Sequence, residues 1–179
     1  IMRVQILIDN PNSWIIPYAK KLKKQLILTG HDAVIISSAN EVTVGDILCL
    51  LSCESIFKKL HLNTHNIVVH ESALPSGKGW SPLSWQILEG KNKIPIVLFE
   101  ASHSVDSGVV YFQDNIMLKG DELINEIRYF QGEKTIELVL KFVRSFGELK
   151  GSNQIGESSY YQKRYPEDSK LSVEKSLKE

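Results

Sequence analysis

The stretch "RVQILIDNPNSWIIPYAKKLKKQLILTGHDAVIISS", residues 3–38, decides the fold. It begins with an apolar run at 3–8, crosses the turn residues "DNPNS", and continues with apolar positions spaced as on one face of a helix. Gly30 ends that helical pattern, and a second apolar run follows at 31–38. This strand, helix, strand order predicts two parallel strands joined by a crossover helix.

The same alternation continues along the chain. Four further runs are typical of strands, and they are "GDILCLLS" (45–52), "HNIVVHES" (65–72), "KIPIVLFEAS" (93–102) and "SGVVYFQDNIML" (107–118). Helical patterns cover "SIFKKLHLN" (55–63), "SPLSWQILEG" (81–90) with Ser81 as N-cap, and the region 121–146 with Gly132 as a candidate bend. Continuous apolar strands of this kind are typical of parallel sheets covered by helices. The sequence therefore predicts an α/β fold, a Rossmann-like open and mostly parallel sheet with helices on both faces.

The last thirty residues differ in composition from the rest of the chain. They are rich in Ser, carry an aromatic and basic patch at 160–165, and end in a helical pattern at 172–179. We predict one domain over residues 2–150 and a C-terminal extension or connector, apparently truncated, over 151–179. The patch at 160–165 is expected to dock on the domain, although contact with a nucleotide stays open.

Charge and cysteine content limit the class of partner. The 21 basic and 21 acidic residues cancel and form no long single-sign block, which argues against binding to nucleic acid or to an anionic membrane. The sequence contains no run of eighteen consecutive apolar residues, so it predicts no membrane span. The two cysteines, Cys49 and Cys53, are too few for a disulfide framework and are expected to be reduced thiols. The sequence thus predicts a cytoplasmic protein, and a homodimer stays open.

Two side chains that could carry chemistry follow predicted strands. His70 ends one apolar run, and Asp106 follows another after a short polar segment. Ligands of open α/β sheets bind outside the carboxyl ends of the strands, which places 52–56, 70–82 and 101–108 along one candidate edge. A shared site with a hydrogen-bond donor and a proton acceptor is the functional interpretation, while a structural histidine and a turn aspartate are the alternatives.

Two other features favour a structural interpretation. Cys53 has no neighbouring histidine or cation in the sequence that would activate a thiol nucleophile. His61 and His65 have the i, i+4 spacing of metal ligands, but no third ligand accompanies them. We therefore predict an unreactive thiol, a solvated turn and no metal.

One segment resembles a known family. "HESALPSGKGWSPLSWQILEG" (70–90), followed by "VDSGVVYFQ" (105–113), is similar to the formyltetrahydrofolate-dependent formyltransferases, which include methionyl-tRNA formyltransferase and the sugar N-formyltransferases. The resemblance is best over 46–113. The matching positions are His70, Ser72, Leu74, Pro75, Gly79, Pro82, Trp85, Gly90, Asp106 and Gly108.

The resemblance implies roles for these residues. His70 and Asp106 would be catalytic, and 10-formyltetrahydrofolate would be the co-substrate, held largely by main-chain groups of two loops. The implied folate-binding residues are Ser52, Cys53, Glu54, Ser55 and Ile56 in the first loop, Ser72, Leu74 and Pro75 in the second segment, and Ala101, Ser102, His103, Ser104 and Val105 before Asp106. The implied acceptor is an amine, most simply that of a nucleotide-linked amino sugar, because tRNA usually demands a basic surface.

The chain also departs from the family pattern. Val68 stands where the family has a catalytic Asn, Lys78 stands where Arg is frequent, and the N-terminal half is shortened between the second and third strands. An aliphatic side chain cannot donate a hydrogen bond to a developing oxyanion. Two alternatives to formyl transfer therefore stay open, which are a catalytically weak homologue that binds folate or a nucleotide and a formyltetrahydrofolate hydrolase.

Overall fold

A computed structural model describes residues 1–169. The strands are β1 (Arg3–Leu7), β2 (Asp32–Ile36), β3 (Gly45–Leu50), β4 (Asn63–His70), β5 (Lys78–Gly79), β6 (Lys93–Glu100), β7 (Val110–Met117) and β8 (Tyr160–Tyr161). The α-helices are α1 (Ile16–Leu28), α2 (Pro82–Leu88) and α3 (Ile124–Arg144). The helical pattern at 172–179 lies outside the described residues.

Six strands form one sheet in the order β2-β1-β3-β4-β6-β7. Strands β1 to β4 pair in parallel, whereas β6 is antiparallel to both of its neighbours, so that β7 runs in the same direction as the first four. Five of the six strands thus share one direction. The predicted α/β fold with an open, mostly parallel sheet is confirmed, and the reversed β6 is a feature that the sequence pattern did not predict.

One face of the sheet, called here the helical face, packs against the α-helices. Leu22 of α1 and Phe142 of α3 are fully buried there against strand residues such as Ile6, Ile47 and Ile96. Gly132 lies at the contact between the two helices, because a Cβ at this position would overlap the ring of Tyr18. Helix α3 is uninterrupted at Gly132, so close packing rather than a break accounts for the glycine.

The opposite face, called here the loop face, is covered by loops and by the short 3-10 helices Ala39–Glu41 and Leu60–Leu62, so that α-helices cover one face of the sheet and not both as predicted. Phe57 and Leu74 are buried on this face, and Leu60 packs beside Phe57. The helix predicted over 55–63 is wrong, because only Leu60–Leu62 is helical. Here the chain follows the sheet surface, where Asn66 Nδ2 donates to the carbonyl oxygen of Leu60 at 2.8 Å.

Helix α2 begins as expected at Pro82, but its cap differs from the prediction. Ser81 occupies the N-cap position with φ at 46° and makes no side-chain cap hydrogen bond. The left-handed backbone accounts for this, since a serine that caps a helix normally has an extended conformation there.

The tail after α3 returns to the sheet and docks on the loops. Ser152 bridges to Val110 of β7, and the short strand β8 pairs in parallel with β5. The rings of Tyr161 and Trp85 stack with centroids 6.2 Å apart. Docking of the aromatic patch is therefore confirmed for Tyr160 and Tyr161.

Candidate functional site

His70 and Asp106 meet on the loop face. The Nε2 atom of His70, at the end of β4, lies 4.0 Å from Oδ2 of Asp106, and the two side chains are only 8 % and 12 % exposed. This separation is too long for a hydrogen bond but short enough for an ion pair when the imidazole is protonated.

The route that brings the two residues together differs from the expected one. Because β6 is antiparallel, the loop 101–108 starts beside the middle of β4, where the Ala101 amide donates to the Asn66 carbonyl at 2.7 Å. The loop then folds back over the loop face toward His70. A chain reversal, rather than a shared carboxyl edge of parallel strands, therefore creates the pair.

The imidazole of His70 is fixed by a main-chain group. Its Nε2 atom lies 2.7 Å from the carbonyl oxygen of Gly77, and its ring meets that of Phe99 edge-on. A carbonyl oxygen can only accept, so Nε2 carries the hydrogen of this bond. A second N–H, on Nδ1, is present only in the doubly protonated ring.

Asp106 is held in an unusual conformation. Its φ is 53°, in the left-handed region that non-glycine residues rarely adopt. Its Oδ2 accepts a hydrogen bond from the Gly79 amide at 2.8 Å. Oδ1 has no hydrogen-bond partner within residues 1–169, so one carboxylate oxygen is available as a proton acceptor.

The first predicted folate loop, 52–56, is tied to a residue that the sequence interpretation missed. Asp9, at the end of β1, accepts hydrogen bonds from the amides of Glu54 and Ser55 at 2.9 Å each. Asn10 Nδ2 adds a bond to the Glu54 carboxylate at 3.3 Å. The sequence contains one signal for this role of Asp9, because the residue follows the apolar run 3–8 and the carboxyl end of that strand lies at this edge. The composition of "DNPN" favours an ordinary turn instead.

Cys53 is an unreactive thiol in this geometry. Its Sγ lies 3.2 Å from the carbonyl oxygen of Leu7. Burial, and to a lesser degree the nearby Asp9 carboxylate, raises its pKa to about 12. The thiol therefore stays protonated near neutral pH and cannot serve as a thiolate nucleophile.

The two predicted folate loops lie against one apolar cluster. Cys53 and Ala101 both pack on the cluster that contains Leu48 and Leu50. The other members of the two loops are exposed, and they are Ser52, Glu54, Ser55, Ile56, Ser102, His103, Ser104 and Val105. These two loops thus lie beside the same buried apolar cluster, and most of their residues are exposed.

The residues predicted to bind folate in the segment between these two loops are not exposed. Ser72, Leu74 and Pro75 are all buried. The hydroxyl of Ser72 has no hydrogen-bond partner in the described part of the chain and borders a cavity of about 270 Å³ that Gly77 and Tyr161 also line. These three residues shape the loop that carries His70.

Val68 occupies the position of the family Asn and lies on the same face of β4 as His70. Its half-buried side chain packs against both apolar clusters of the loop face, including Leu74 and Phe99. It offers no hydrogen-bond donor. Any second donor to a developing oxyanion must come from elsewhere in the site.

The solvated turn predicted for His65 is wrong, because this residue lies within β4 and its ring packs on the helical face. Its Nδ1 lies 3.3 Å from Oε2 of Glu100, and its ring meets that of Phe142 edge-on. Burial raises the pKa of Glu100, and the hydrogen bond from Asn66 and the charge of His65 partly oppose this effect. In residues 1–169 no group of three or more potential ligands could hold a metal ion.

No α-helix in residues 1–169 combines the length and apolarity needed to span a bilayer.

Fold and site define a class, an α/β protein in which an imidazole at the end of a strand and a carboxylate on a loop meet on one face of an open sheet. No family model matches the chain. Among curated proteins it is 27% identical over 166 residues to the bifunctional polymyxin resistance protein ArnA of Wigglesworthia glossinidia brevipalpis, with 89% of this chain and 22% of that protein covered. It is 28% identical over 134 residues to methionyl-tRNA formyltransferase of Buchnera aphidicola, with 71% and 41% covered.

Solved structures give the same relationship at the level of fold. Methionyl-tRNA formyltransferase from Clostridium thermocellum superposes with a TM-score of 0.81 at 24% identity, covering 99% of this chain and 79% of that one. The formyltransferase PseJ from Anoxybacillus kamchatkensis, in complex with a formamido sugar nucleotide and tetrahydrofolate, superposes with a TM-score of 0.67 at 20% identity, covering 89% and 85%. The chain is thus similar in sequence to curated formyltransferases and shares the fold of solved ones. It spans about two fifths or less of the curated relatives that it matches.

Proposed function

We propose that the chain transfers a formyl group from 10-formyltetrahydrofolate to an amine. The observation that carries the proposal is the pair of His70 and Asp106, 4.0 Å apart in a formyltransferase-like fold, with one carboxylate oxygen free of partners in residues 1–169. Residues 2–150 would form the catalytic domain and 151–179 the connector. The free thiols Cys49 and Cys53 fit a cytoplasmic location, which is part of the proposal.

The residues divide the work of acyl transfer between them. Asp106 takes up the proton that the amine loses as its nitrogen bonds to the formyl carbon. Because the Nε2–H of His70 is bound to the Gly77 carbonyl, the donor to the formyl oxygen, as negative charge develops there, is the Nδ1–H of the doubly protonated ring. When the bond between the formyl carbon and the folate nitrogen breaks, the doubly protonated ring of His70 would supply the proton that this nitrogen takes up.

The loop face fits the folate in two respects. The half-buried Cys53 and Ala101 lie beside one apolar cluster and would contact a flat ring, and the other residues of 52–56 and 101–105 are exposed, so their main-chain groups would be its hydrogen-bonding partners. Asp9 already occupies the amides of Glu54 and Ser55. The pterin ring is therefore expected to use the other main-chain groups of these loops.

The proposed acceptor is the amino group of a nucleotide-linked sugar. The structurally similar WlaRD is a sugar 3N-formyltransferase, and the structurally similar formyltransferase PseJ binds a formamido sugar nucleotide. The zero net charge of this chain argues against tRNA, whose phosphates are usually met by a basic surface.

The test is an assay of tetrahydrofolate release with 10-formyltetrahydrofolate and a panel of amino-sugar nucleotides. Turnover that depends on one of these amines and is abolished in Asp106→Asn supports the proposal. Absence of turnover with every amine, or full activity in Asp106→Asn, contradicts it. Release of formate without any amine would indicate the hydrolase alternative.

Binding without turnover is the second candidate function, and the packing of Val68 favours it. With an aliphatic side chain among Leu74 and Phe99, the site lacks the donor whose loss typically slows acyl transfer by about 10²–10³-fold. In this case calorimetry would detect binding of folate or nucleotide to the wild-type chain. The variant Val68→Asn would bind equally well and remain inactive.

A further inference from the structure

We infer that Gln154, in the tail that follows α3, is a positioning residue for Asp106, an inference that rests on the proposed function. The Nε2 atom of Gln154 donates to the carbonyl oxygens of Asp106 at 2.8 Å and of Gly108 at 2.9 Å. Both acceptors are main-chain carbonyls, so the orientation of the amide is fixed by chemistry. The side chain of Gln154 thus links two main-chain carbonyls of the turn that carries the Asp106 carboxylate.

This turn needs an external constraint. Asp106 has its φ at 53°, and Gly108 lies so close to the carbonyl oxygen of Glu100 that any Cβ would overlap it. Strained conformations of this kind persist only where the surrounding structure enforces them. Gln154 holds the main chain of the turn, and the Gly79 amide holds the Asp106 carboxylate from the opposite side.

The other end of the Gln154 amide supports the same interpretation. Its Oε1 atom is buried and has no hydrogen-bond partner among residues 1–169. A buried acceptor without a partner is destabilising, and such groups in native proteins call for an explanation. The two bonds made by Nε2 supply one, because they require an amide that is oriented toward the turn.

The tail that carries Gln154 is anchored on both sides of it. Ser152 forms a two-way main-chain bridge with Val110, with distances of 2.8 and 2.9 Å. Downstream, Ser159 Oγ accepts from the Gly77 amide at 2.8 Å, and the carbonyl of that same Gly77 binds His70. The tail therefore contacts the loops of both proposed catalytic residues, and Gln154 is its contact with the Asp106 turn.

A purely structural role would also explain a hydrogen bond between tail and domain. The two roles differ in what a variant changes. If Gln154 only fastens the tail, its loss changes stability and leaves kcat unchanged. If it positions Asp106, its loss lowers kcat for formyl transfer while the KM for each substrate stays the same, because binding groups elsewhere are not moved.

The first measurement is steady-state kinetics of Gln154→Met, which keeps the length of the side chain and removes both donated bonds. We expect kcat to fall roughly tenfold or more, as for other small misplacements of a catalytic group, with each KM within about twofold of wild type. The matched control is Ile155→Ala, since Ile155 is 90% exposed on the same segment, and it should keep wild-type kinetics. An unchanged kcat in Gln154→Met overturns the inference.

The second measurement needs no substrate and separates this inference from the proposed function. In Gln154→Met the Gly79 amide, which donates to the Asp106 carboxylate, should exchange hydrogen at least about tenfold faster than in wild type, while the amides of β1 and β3 are unchanged. Unaltered exchange of the Gly79 amide overturns the inference whatever the activity. A wild-type chain that transfers no formyl group contradicts the proposed function, and the exchange result then decides alone whether Gln154 holds the turn.

Discussion

On the helical face of the sheet, Leu22, Ile47 and Phe142 are buried completely between strands and α-helices. The loop face is covered instead by segments without α-helix, and on it lie His70 and Asp106, together with main-chain hydrogen bonds from Gly77 and Gly79. The hydrophobic effect, which has no preferred direction, stabilises the packing on the helical face. Directional bonds from a few residues set the geometry of the loop face.

Substitutions on the two faces of the sheet should have different effects. Removing apolar volume from the helical face should lower stability without specific loss of chemistry, because those residues do not contact the proposed site. Substitutions on the loop face should alter activity or the docking of the tail while the fold survives. Each prediction below tests one side of this division.

The largest expected effect belongs to Asp106→Asn. If Asp106 is the proton acceptor, formyl transfer should fall by roughly 10²–10⁴-fold, the usual contribution of a general base. The Asn side-chain oxygen can still accept the bond from the Gly79 amide, so urea unfolding should show a free energy within about 1 kcal/mol of wild type. A large loss of stability in this variant would mean that Asp106 supports the fold rather than the chemistry.

Phe142→Ala should have the largest effect on stability. Phe142 is fully buried on the helical face, and truncation of such a side chain typically lowers the free energy of unfolding by about 3–5 kcal/mol. Val44→Ala is the control, because Val44 is 74% exposed, and it should change this free energy by less than about 0.5 kcal/mol. Equal values for the two variants in urea unfolding would refute the assigned core.

Gly79→Ala should release the tail from the domain and lower the free energy of unfolding by a moderate amount. Gly79 has φ at +95°, and a Cβ there would overlap the carbonyl oxygen of Tyr161, whereas Gly90 has φ at +81° with nothing within 4 Å. Gly90→Ala therefore measures backbone strain alone, about 1–2 kcal/mol. Gly79→Ala should lose more stability than that and expose residues 152–162 to protease. Equal losses in the two variants, with an intact tail, would show that pairing of β5 with β8 is unimportant.

The smallest expected effect is a pH dependence that Glu100→Gln removes. Burial raises the pKa of Glu100 above its ordinary value of 4.5, so the folded protein binds this proton more tightly than the unfolded chain does. The contribution of Glu100 to stability is then greatest below pH 4.5 and is lost as the pH rises through the raised pKa. The difference in unfolding free energy between Glu100→Gln and wild type should therefore grow in favour of the variant over this range. A difference that is constant or shrinks with pH contradicts the direction of the shift.

Much of the sheet follows from local sequence. Apolar runs predict strands at the places of β1, β2, β3, β4, β6 and β7, and helical spacing of apolar residues predicts α1 and α3. Both patterns arise because burial of one face imposes a periodicity on each element. The direction of β6 does not follow, since an apolar run has the same pattern in either orientation. The helix predicted over 55–63 failed because Phe57 and Leu60 serve a surface that only the tertiary structure defines.

The candidate site was predictable only in part. His70 and Asp106 were found from their motif, but the chain reversal that joins them depends on β6. Asp9 resembled an ordinary turn residue, and Gln154 lies in a polar stretch with no periodicity. Their partners are main-chain amides and carbonyls distant in sequence, and such contacts leave no pattern in the residues that make them.

The central claim is that the loop face carries formyl transfer to an amine, and the fate of the formyl carbon tests it most directly. The chain would be incubated with 10-formyltetrahydrofolate labelled with ¹³C at the formyl carbon and with amino-sugar nucleotides, and the label followed by NMR. The account predicts that the label moves into a formamide with wild type and not with Asp106→Asn. Label that stays on the folate, or that emerges as formate whether or not an amine is present, would contradict it.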